Sequence, residues 1–208
     1  VADIAMGSGH FLVAAVDRIE TRFSNYLSQR NLPEVLRELS HLRKSAKEAL
    51  GEAANSYPEF EDNSLLRRQI ARRCIYGADI NEVAVQLARV AIWIHTFVPG
   101  LPLSLLERNL VHGNALAGVG RLSEFEEKLS EDEGENFFSL NVQDYIGGAR
   151  EALLRIGKIS EATQPELKEV KSTWLDAEDS VSSTKALCDI LCAARIKNET
   201  MPLNFMYG

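Results

Sequence analysis

A glycine-rich turn between an acid and an amphipathic helix, at residues 2–19, most constrains the fold. In the stretch ADIAMGSGHFLVAAVDRI, Asp3 precedes the small residues Gly7, Ser8 and Gly9, and an apolar helical pattern follows. Glycine adopts backbone conformations closed to other residues and lets a ligand approach the main chain. The stretch therefore predicts either a ligand-binding turn after a strand or a plain helix start capped by Ser8.

Two further segments repeat this order of short apolar strand, polar residue and turn. CIYGADI, at 74–80, ends near Asp79, and NLVHGNAL, at 109–116, turns at Asn114. In a doubly wound α/β fold, ligands bind where parallel strands end, so a site is expected at these residues. The plainer alternatives are a helix-capping role for Asp79 and a turn-forming role for Asn114.

Helices are predicted for most of the remaining chain. The predicted segments are 10–30, 33–54, 64–73, 81–97, 141–157, 162–179 and 181–196. Asn81 is the expected N-cap of the helix over 81–97, and Trp93 and Phe97 are expected to be core residues on it. Because parallel strands need a crossover between them, the alternation predicts that 74–79 and 109–113 are parallel. Asp3 and Asp79 lie 76 positions apart, whereas one strand–helix–strand unit needs about 30 residues. The extra residues, about 25–72, should form a helical excursion from the sheet. The expected fold class is α/β, predominantly helical by residue count.

The residue types at the strand ends fit an adenosine-containing ligand. An acid can accept both hydroxyl hydrogens of a ribose, and an amide can pair with a base edge. Phosphate-binding loops fit poorly, since GSGHFL lacks the third glycine of the dinucleotide fingerprint and no Gly-Lys-Ser/Thr follows. Carboxylates suit the cationic sulfonium of S-adenosylmethionine, which makes that molecule the expected ligand.

The charge balance limits what this chain can bind. Its formal net charge of -7 argues against the chain alone holding the phosphate backbone of DNA, which needs clustered Lys and Arg. The stretch SLLRRQIARR, at 64–73, is expected to expose its four arginines as a solvated face. No run approaches the ~20 apolar residues of a membrane span, and no signal peptide is visible, so no membrane partner is expected.

The cysteines and histidines indicate a reducing compartment and no metal site. Cys74, Cys188 and Cys192 suggest no disulfide framework, and the four histidines are scattered. A cytoplasmic protein is therefore expected. Core packing is the simpler expectation for Cys188 and Cys192, since no histidine pair accompanies them.

Four segments carry a known order of motifs: DIAMGSGHFLVAAVDRI, IYGADINEVAVQLARVAIWIHTF, PLSLLERNLVHGNALAG and KALCDILCAARI. Together they resemble the amino-methylating DNA methyltransferases. They look closest to the large adenine methyltransferases of restriction-modification and phage-defence systems, where modification and cleavage often share one polypeptide. The resemblance implies a partial Rossmann-like methyltransferase fold over 1–120 with large helical insertions, and a helical region over 121–208.

The resemblance also implies roles for the first turn. Asp3 and the turn from Ala5 through Gly7 to Gly9 match the family's first motif, which holds the methionine end of S-adenosylmethionine. Ile4 stands where the family usually has proline. This departure should loosen the turn slightly but removes no ligand group.

Three later residues match further cofactor motifs of the family. Asp79 matches the acid that binds the ribose hydroxyls, and Ile80 matches the residue that packs on the adenine ring. Asn114 matches the third motif, near the adenine amino group. The implied activity is methyl transfer from S-adenosylmethionine to the N6 amino group of adenine in DNA.

The family's catalytic motif, Asn or Asp followed by Pro-Pro and an aromatic residue, is absent from this sequence. That motif holds the flipped-out adenine. We therefore expect a fragment with no catalytic residue of its own, inactive alone, from a longer enzyme that contacts DNA through other parts. The alternative is a non-catalytic helical module that binds a partner protein through residues 121–196.

Overall fold

Three short parallel strands form a sheet in a chain that is otherwise mainly helical. The computed structural model describes residues 1–56, 62–116 and 137–197. The strands are β1 (Ala2–Asp3), β2 (Tyr76–Asp79) and β3 (Leu110–His112), adjacent in that order. In the parallel register, Ala2 lies opposite Tyr76 and Gly77 lies opposite Leu110. The predicted parallel pairing of the second and third strands is confirmed.

The helices follow the predicted segments closely. They are α1 (His10–Gln29), α2 (Pro33–Leu50), α3 (Asp62–Cys74), α4 (Glu82–His95), α5 (Phe137–Lys158), α6 (Gln164–Ser180) and α7 (Ser182–Lys197). The helix predicted over 33–54 ends early, because Gly51 has a φ of 54°. A 3-10 helix, Gly51–Ser56, continues the chain. Between β1 and β2, the described residues contain α1, α2, the 3-10 helix and α3, and no strand.

The chain divides into two compact units. The first comprises Val1–Gly113 and Gly157–Ser172, and the second comprises Asn114–Ile156 and Thr173–Gly208. Within the second unit, Lys185 Nζ lies 2.9 Å from Glu178 Oε1. The domain boundary predicted near residue 120 lies outside the described residues.

The core of the first unit lies between the sheet and helices α1, α3 and α4. Each of these helices supplies side chains at helical spacing, as the apolar periodicity predicts. The buried residues are Met6, Leu12, Val16, Leu66, Ile70, Ala71, Ile75, Val85, Ala88, Ile92, Leu106 and Leu110. Trp93, predicted to be a core residue, is half-buried, and its indole N–H donates to Ser104 O at 2.8 Å. The same prediction is wrong for Phe97, which is 56% exposed.

A buried ion pair joins α3 to the turn before α6 within the first unit. Arg72 Nη2 lies 2.9 Å from Glu161 Oε1, and both side chains are fully buried. The guanidinium of Arg72 also donates to Gln69 Oε1 at 2.7 Å, to Ser160 O at 2.9 Å and to Ile159 O at 2.8 Å. Arg68 donates to Glu161 O at 3.0 Å, and burial lowers its pKa to about 10. The predicted solvated arginine face is therefore wrong for Arg68 and Arg72.

Candidate functional site

The carboxyl ends of the three strands meet at one edge of the sheet. Asp3, Asp79 and His112 are the last residues of β1, β2 and β3. Because all three strands are parallel, the turns that follow them lie at the same edge. We call this edge, with residues 3–9, 79–81 and 112–113, the carboxyl edge.

The first turn is held by its own polar groups. Asp3 Oδ1 accepts from the backbone N–H of Ala5 at 3.1 Å, and Gly9 N–H donates to Met6 O at 2.9 Å. The N-cap residue of α1 is Gly9, and it makes no side-chain cap. Ser8 Oγ instead lies 2.9 Å from His10 Nδ1. Ser8 is therefore not the cap of α1, although a helix does start directly after this turn.

Gly7 and Gly9 both adopt positive φ, but their surroundings differ. Their φ values are 54° and 83°, in the region that favours glycine. A Cβ on Gly9 would lie 3.0 Å from the Cβ of Ala88 and 3.1 Å from its Cα. A Cβ on Gly7 would meet nothing within 4 Å. Gly9 therefore allows close packing of the turn on α4, whereas Gly7 borders open space.

Asp79 joins the first turn to the second. Its Oδ2 accepts from Gly7 N–H at 2.8 Å, and its Oδ1 accepts from Asn81 N–H at 2.8 Å. Asn81 is the N-cap of α4 and accepts from the N–H groups of Val83 and Ala84. The predicted N-cap is thus confirmed. Asp79 lies two residues before this cap, and its carboxylate bridges two segments that are 72 positions apart.

Hydrogen bonds lower the pKa of Asp79 below its ordinary value of 3.8. The N–H groups of Asn81 and Gly7 are the largest causes, since they stabilise the carboxylate. Partial burial opposes them, and the charge of His112 adds to the lowering. A lowered pKa in the folded state means that the carboxylate stabilises the fold above its unfolded pKa. That stabilisation is lost as the pH falls through the folded pKa.

We therefore expect the Asp79 carboxyl to titrate with a midpoint below pH 3.8, observed in its side-chain carbon resonance by NMR. The backbone amides of Gly7 and Asn81 should shift with the same midpoint, because each donates to this carboxylate. A midpoint for Asp79 at or above pH 3.8 would contradict the observed hydrogen bonding.

The other predicted site residues of the first unit lie at the same edge. Ile80 follows β2 directly and is 68% exposed, so its side chain is open to a ligand. Ala5 and Asp3 belong to the first turn. Sequence reasoning missed His112, whose Nε2 donates to Ile80 O at 3.0 Å and orders the chain after β2.

Asn114 follows β3 in the chain but belongs to the second unit. Its Oδ1 accepts from the backbone N–H of Leu116 at 3.0 Å. This bond to a residue two positions later is that of an Asx turn. The turn-forming role is therefore observed, and the cofactor role of Asn114 stays a prediction.

A groove of about 610 Å³ lies elsewhere in the first unit, among α1, α2 and α3. Its lining is mainly apolar and includes Phe23, Tyr26, Leu39 and Ile70. None of its lining residues belongs to the carboxyl edge. The groove is therefore separate from the predicted site.

Comparison of this chain with protein-family models, curated proteins and solved structures finds no match. Within the ranges that the structure describes, no helix is long and apolar enough to cross a membrane. The same residues contain no group of three or more His, Cys, Asp or Glu side chains able to hold a metal ion.

Proposed function

We propose that the carboxyl edge binds S-adenosylmethionine, and that the chain is the cofactor-binding part of a DNA adenine-N6 methyltransferase of Rossmann-like fold. The observation that carries this proposal is the position of the Asp79 carboxylate, between the Gly7 turn and the start of α4. Each carboxylate oxygen offers two lone pairs and uses one on a backbone N–H. Both oxygens therefore keep acceptor capacity for the two hydroxyls of a ribose.

The surroundings of Asp79 support the same ligand. Asp3 and Asp79 place two carboxylates at the ends of neighbouring parallel strands, which favours a cationic ligand. Exposed Ile80 offers an apolar surface to an aromatic base, and the open space beside Gly7 can admit a ligand chain. These features match the sulfonium, the adenine and the methionine tail of S-adenosylmethionine.

The proposal assigns cofactor binding, not methyl transfer, to the residues of this chain. The sequence has no Asn-Pro-Pro-aromatic motif to hold a flipped adenine. In this proposal the catalytic motif and most DNA contacts belong to other parts of a cytoplasmic protein. An Asn-Pro-Pro-aromatic motif encoded after these residues would support the enzyme over the alternative of a protein-interaction module.

We expect Asp79→Ala to weaken S-adenosylmethionine binding about tenfold to several hundredfold. Two charge-assisted hydrogen bonds are lost, each worth about 1.5–3 kcal/mol in gross terms, and about 1.4 kcal/mol corresponds to one decade. Asp79→Asn should lose less, because its amide oxygen still accepts. Calorimetric titration of the full chain measures these affinities, with exposed Asp176→Ala as the matched control. Absence of measurable binding to the unaltered chain would contradict the proposal.

A ligand with a modified ribose distinguishes a direct contact between Asp79 and the ribose from an indirect effect of Asp79 on the first turn. S-adenosylhomocysteine lacking the 2′-hydroxyl should bind the unaltered chain more weakly than S-adenosylhomocysteine itself. In Asp79→Ala that difference should disappear, because the acceptor of the hydroxyl is gone. An undiminished difference in the variant would show that Asp79 only holds the turn.

A further inference from the structure

The groove among α1, α2 and α3 is built from regular helix faces. Both α1 and α2 pack on α3, and each of the three helices lines the groove with residues three or four positions apart. On α1 these include Ile19, Phe23 and Tyr26, which share one face of the helix. The volume of about 610 Å³ lies within the range of about 300–1,000 Å³ that is typical of small-molecule sites. The groove therefore has the size of a ligand site.

The base of the groove is formed by side chains of the hydrophobic core. Leu39, Leu66 and Ile70 line it and are 4%, 3% and 4% exposed, respectively. Leu66 and Ile70 pack in the core of the first unit, so their positions do not depend on an occupant of the groove. On α1, the rings of Phe23 and Tyr26 are stacked with centroids 6.2 Å apart and extend the apolar lining. A ligand with an apolar body can therefore bury its surface against a preformed site.

The amide and hydroxyl side chains of the lining already have partners within the protein. Gln69 Oε1 accepts from Arg72 Nη1 at 2.7 Å, and Gln69 Nε2 donates to Ser160 O at 3.4 Å. The hydroxyl of Tyr26 accepts from Arg30 Nη1 at 2.8 Å. A phenol that accepts a hydrogen bond keeps its own O–H as a donor. Tyr26 can therefore donate to an acceptor on a ligand.

The charged residues of the lining leave one positive charge uncompensated. These residues are Arg22, Glu38 and Arg73. Arg73 Nη2 lies 2.7 Å from Glu38 Oε1, so the charges of this pair cancel. Arg22 makes no hydrogen bond or ion pair within the residues that the structure describes. It lies four positions before Tyr26 on the same face of α1. Both side chains offer donors, which suits a single anionic group on the ligand.

We propose that this groove binds a small monocarboxylate with an apolar body, of the fatty-acid type. Its carboxylate pairs with the guanidinium of Arg22, whose planar donors match two carboxylate oxygens, and accepts from the hydroxyl of Tyr26. Its apolar body lies against Phe23 and the buried base of the groove. An extended peptide suits the groove less, because its backbone N–H and C=O groups would find no partners in an apolar lining.

Calorimetric titration of the full chain with decanoate, below its micelle-forming concentration, tests the proposal. The unaltered chain should bind decanoate at least about tenfold more tightly than decyltrimethylammonium, which carries the opposite charge on the same alkyl chain. Arg22→Gln should weaken decanoate binding about tenfold to a hundredfold, because a charge-assisted hydrogen bond is lost. Arg18→Gln is the matched control, since Arg18 is also exposed on α1 but does not line the groove. Absence of saturable decanoate binding, or equal effects of both variants, would overturn the proposal.

Alkylation of Cys74 shows whether decanoate occupies this groove. Cys74 lines the groove, whereas Cys188 and Cys192, on α7, do not, and all three thiols are free and half-buried. Saturating decanoate should slow the reaction of Cys74 with N-ethylmaleimide about tenfold or more and leave the other two rates unchanged, as measured by peptide mass spectrometry.

Two outcomes of the alkylation experiment would overturn the proposal. An unchanged rate at Cys74 would place the bound decanoate elsewhere. A Cys74 that is unreactive before decanoate is added would show that a segment of the protein itself, such as a helix, already covers the groove. Neither measurement involves S-adenosylmethionine, so the result is independent of the proposed function.

Discussion

Glu161→Ala should lower the free energy of unfolding by about 3–5 kcal/mol, because it removes the counter-ion of a buried guanidinium. Glu161 and Arg72 are both fully buried, and Arg108 Nη2 also lies 3.4 Å from Glu161 Oε1. The other carboxylate oxygen accepts from Leu105 N–H at 3.1 Å. One substitution thus leaves two arginines and a backbone donor without this acceptor. Chemical denaturation monitored by circular dichroism measures the loss.

One further variant tests how much backbone strain at position 161 contributes, and a second variant is a control at an exposed ion pair. Glu161 has a φ of 53°, which strains any residue with a Cβ, so Glu161→Gly should be milder than the alanine variant by about 1 kcal/mol. Glu48→Ala removes an exposed pair with Lys44 and should change stability by about 0.5 kcal/mol at most. Similar losses in Glu161→Ala and Glu48→Ala would mean that the buried cluster does not stabilise the fold.

Gly9→Val should destabilise the first unit by about 2–6 kcal/mol, since backbone strain at positive φ and overpacking each cost about 1–3 kcal/mol. The new Cβ would press on the backbone of α4 at Ala88, which cannot move without shifting the whole helix. The same denaturation measurement applies, and Gly113→Ala, with open space beside it, is the neutral control.

Gly7→Val provides the contrast within the same turn. Its φ of 54° predicts strain, but its Cβ would enter open space, so the loss of stability should stay near 1–3 kcal/mol. In the proposed site that space belongs to the methionine tail, so this variant should lose S-adenosylmethionine binding while remaining folded. Equal loss of stability at Gly7 and Gly9 would show that the turn packs differently from the structure described.

Local patterns were sufficient to predict the sheet and its helices. The run around Tyr76–Asp79 is short, apolar and bounded by polar turn residues, and the strand lies within the predicted segment. Asn81 was identifiable as the N-cap because an amide precedes an acidic first turn and an apolar helix. Asp3 and Asp79 were predicted to share an edge because parallel strands end together.

Long-range partners were beyond the reach of these patterns. Arg68 and Arg72 lie four positions apart on a helix, which is typical of a solvated face, and their partner Glu161 follows 89 positions after Arg72. No periodicity connects segments so far apart in the chain. Likewise, the sequence predicted that Asp79 lies near the first turn. It could not show that the Asp79 carboxylate accepts a hydrogen bond from Gly7 N–H.

The adjacency of β1 and β2 has a consequence for how this chain can vary in length. Ala2 and Tyr76 are partners in the ladder although α1, α2, the 3-10 helix and the whole of α3 separate them. Even counted as a flexible loop, a connection doubled in length adds only about 0.6 kcal/mol of closure entropy. Residues can therefore be inserted in the turn between α1 and α2, where Arg30 and Asn31 are exposed, while Asp3, Gly7 and Asp79 keep their relative positions.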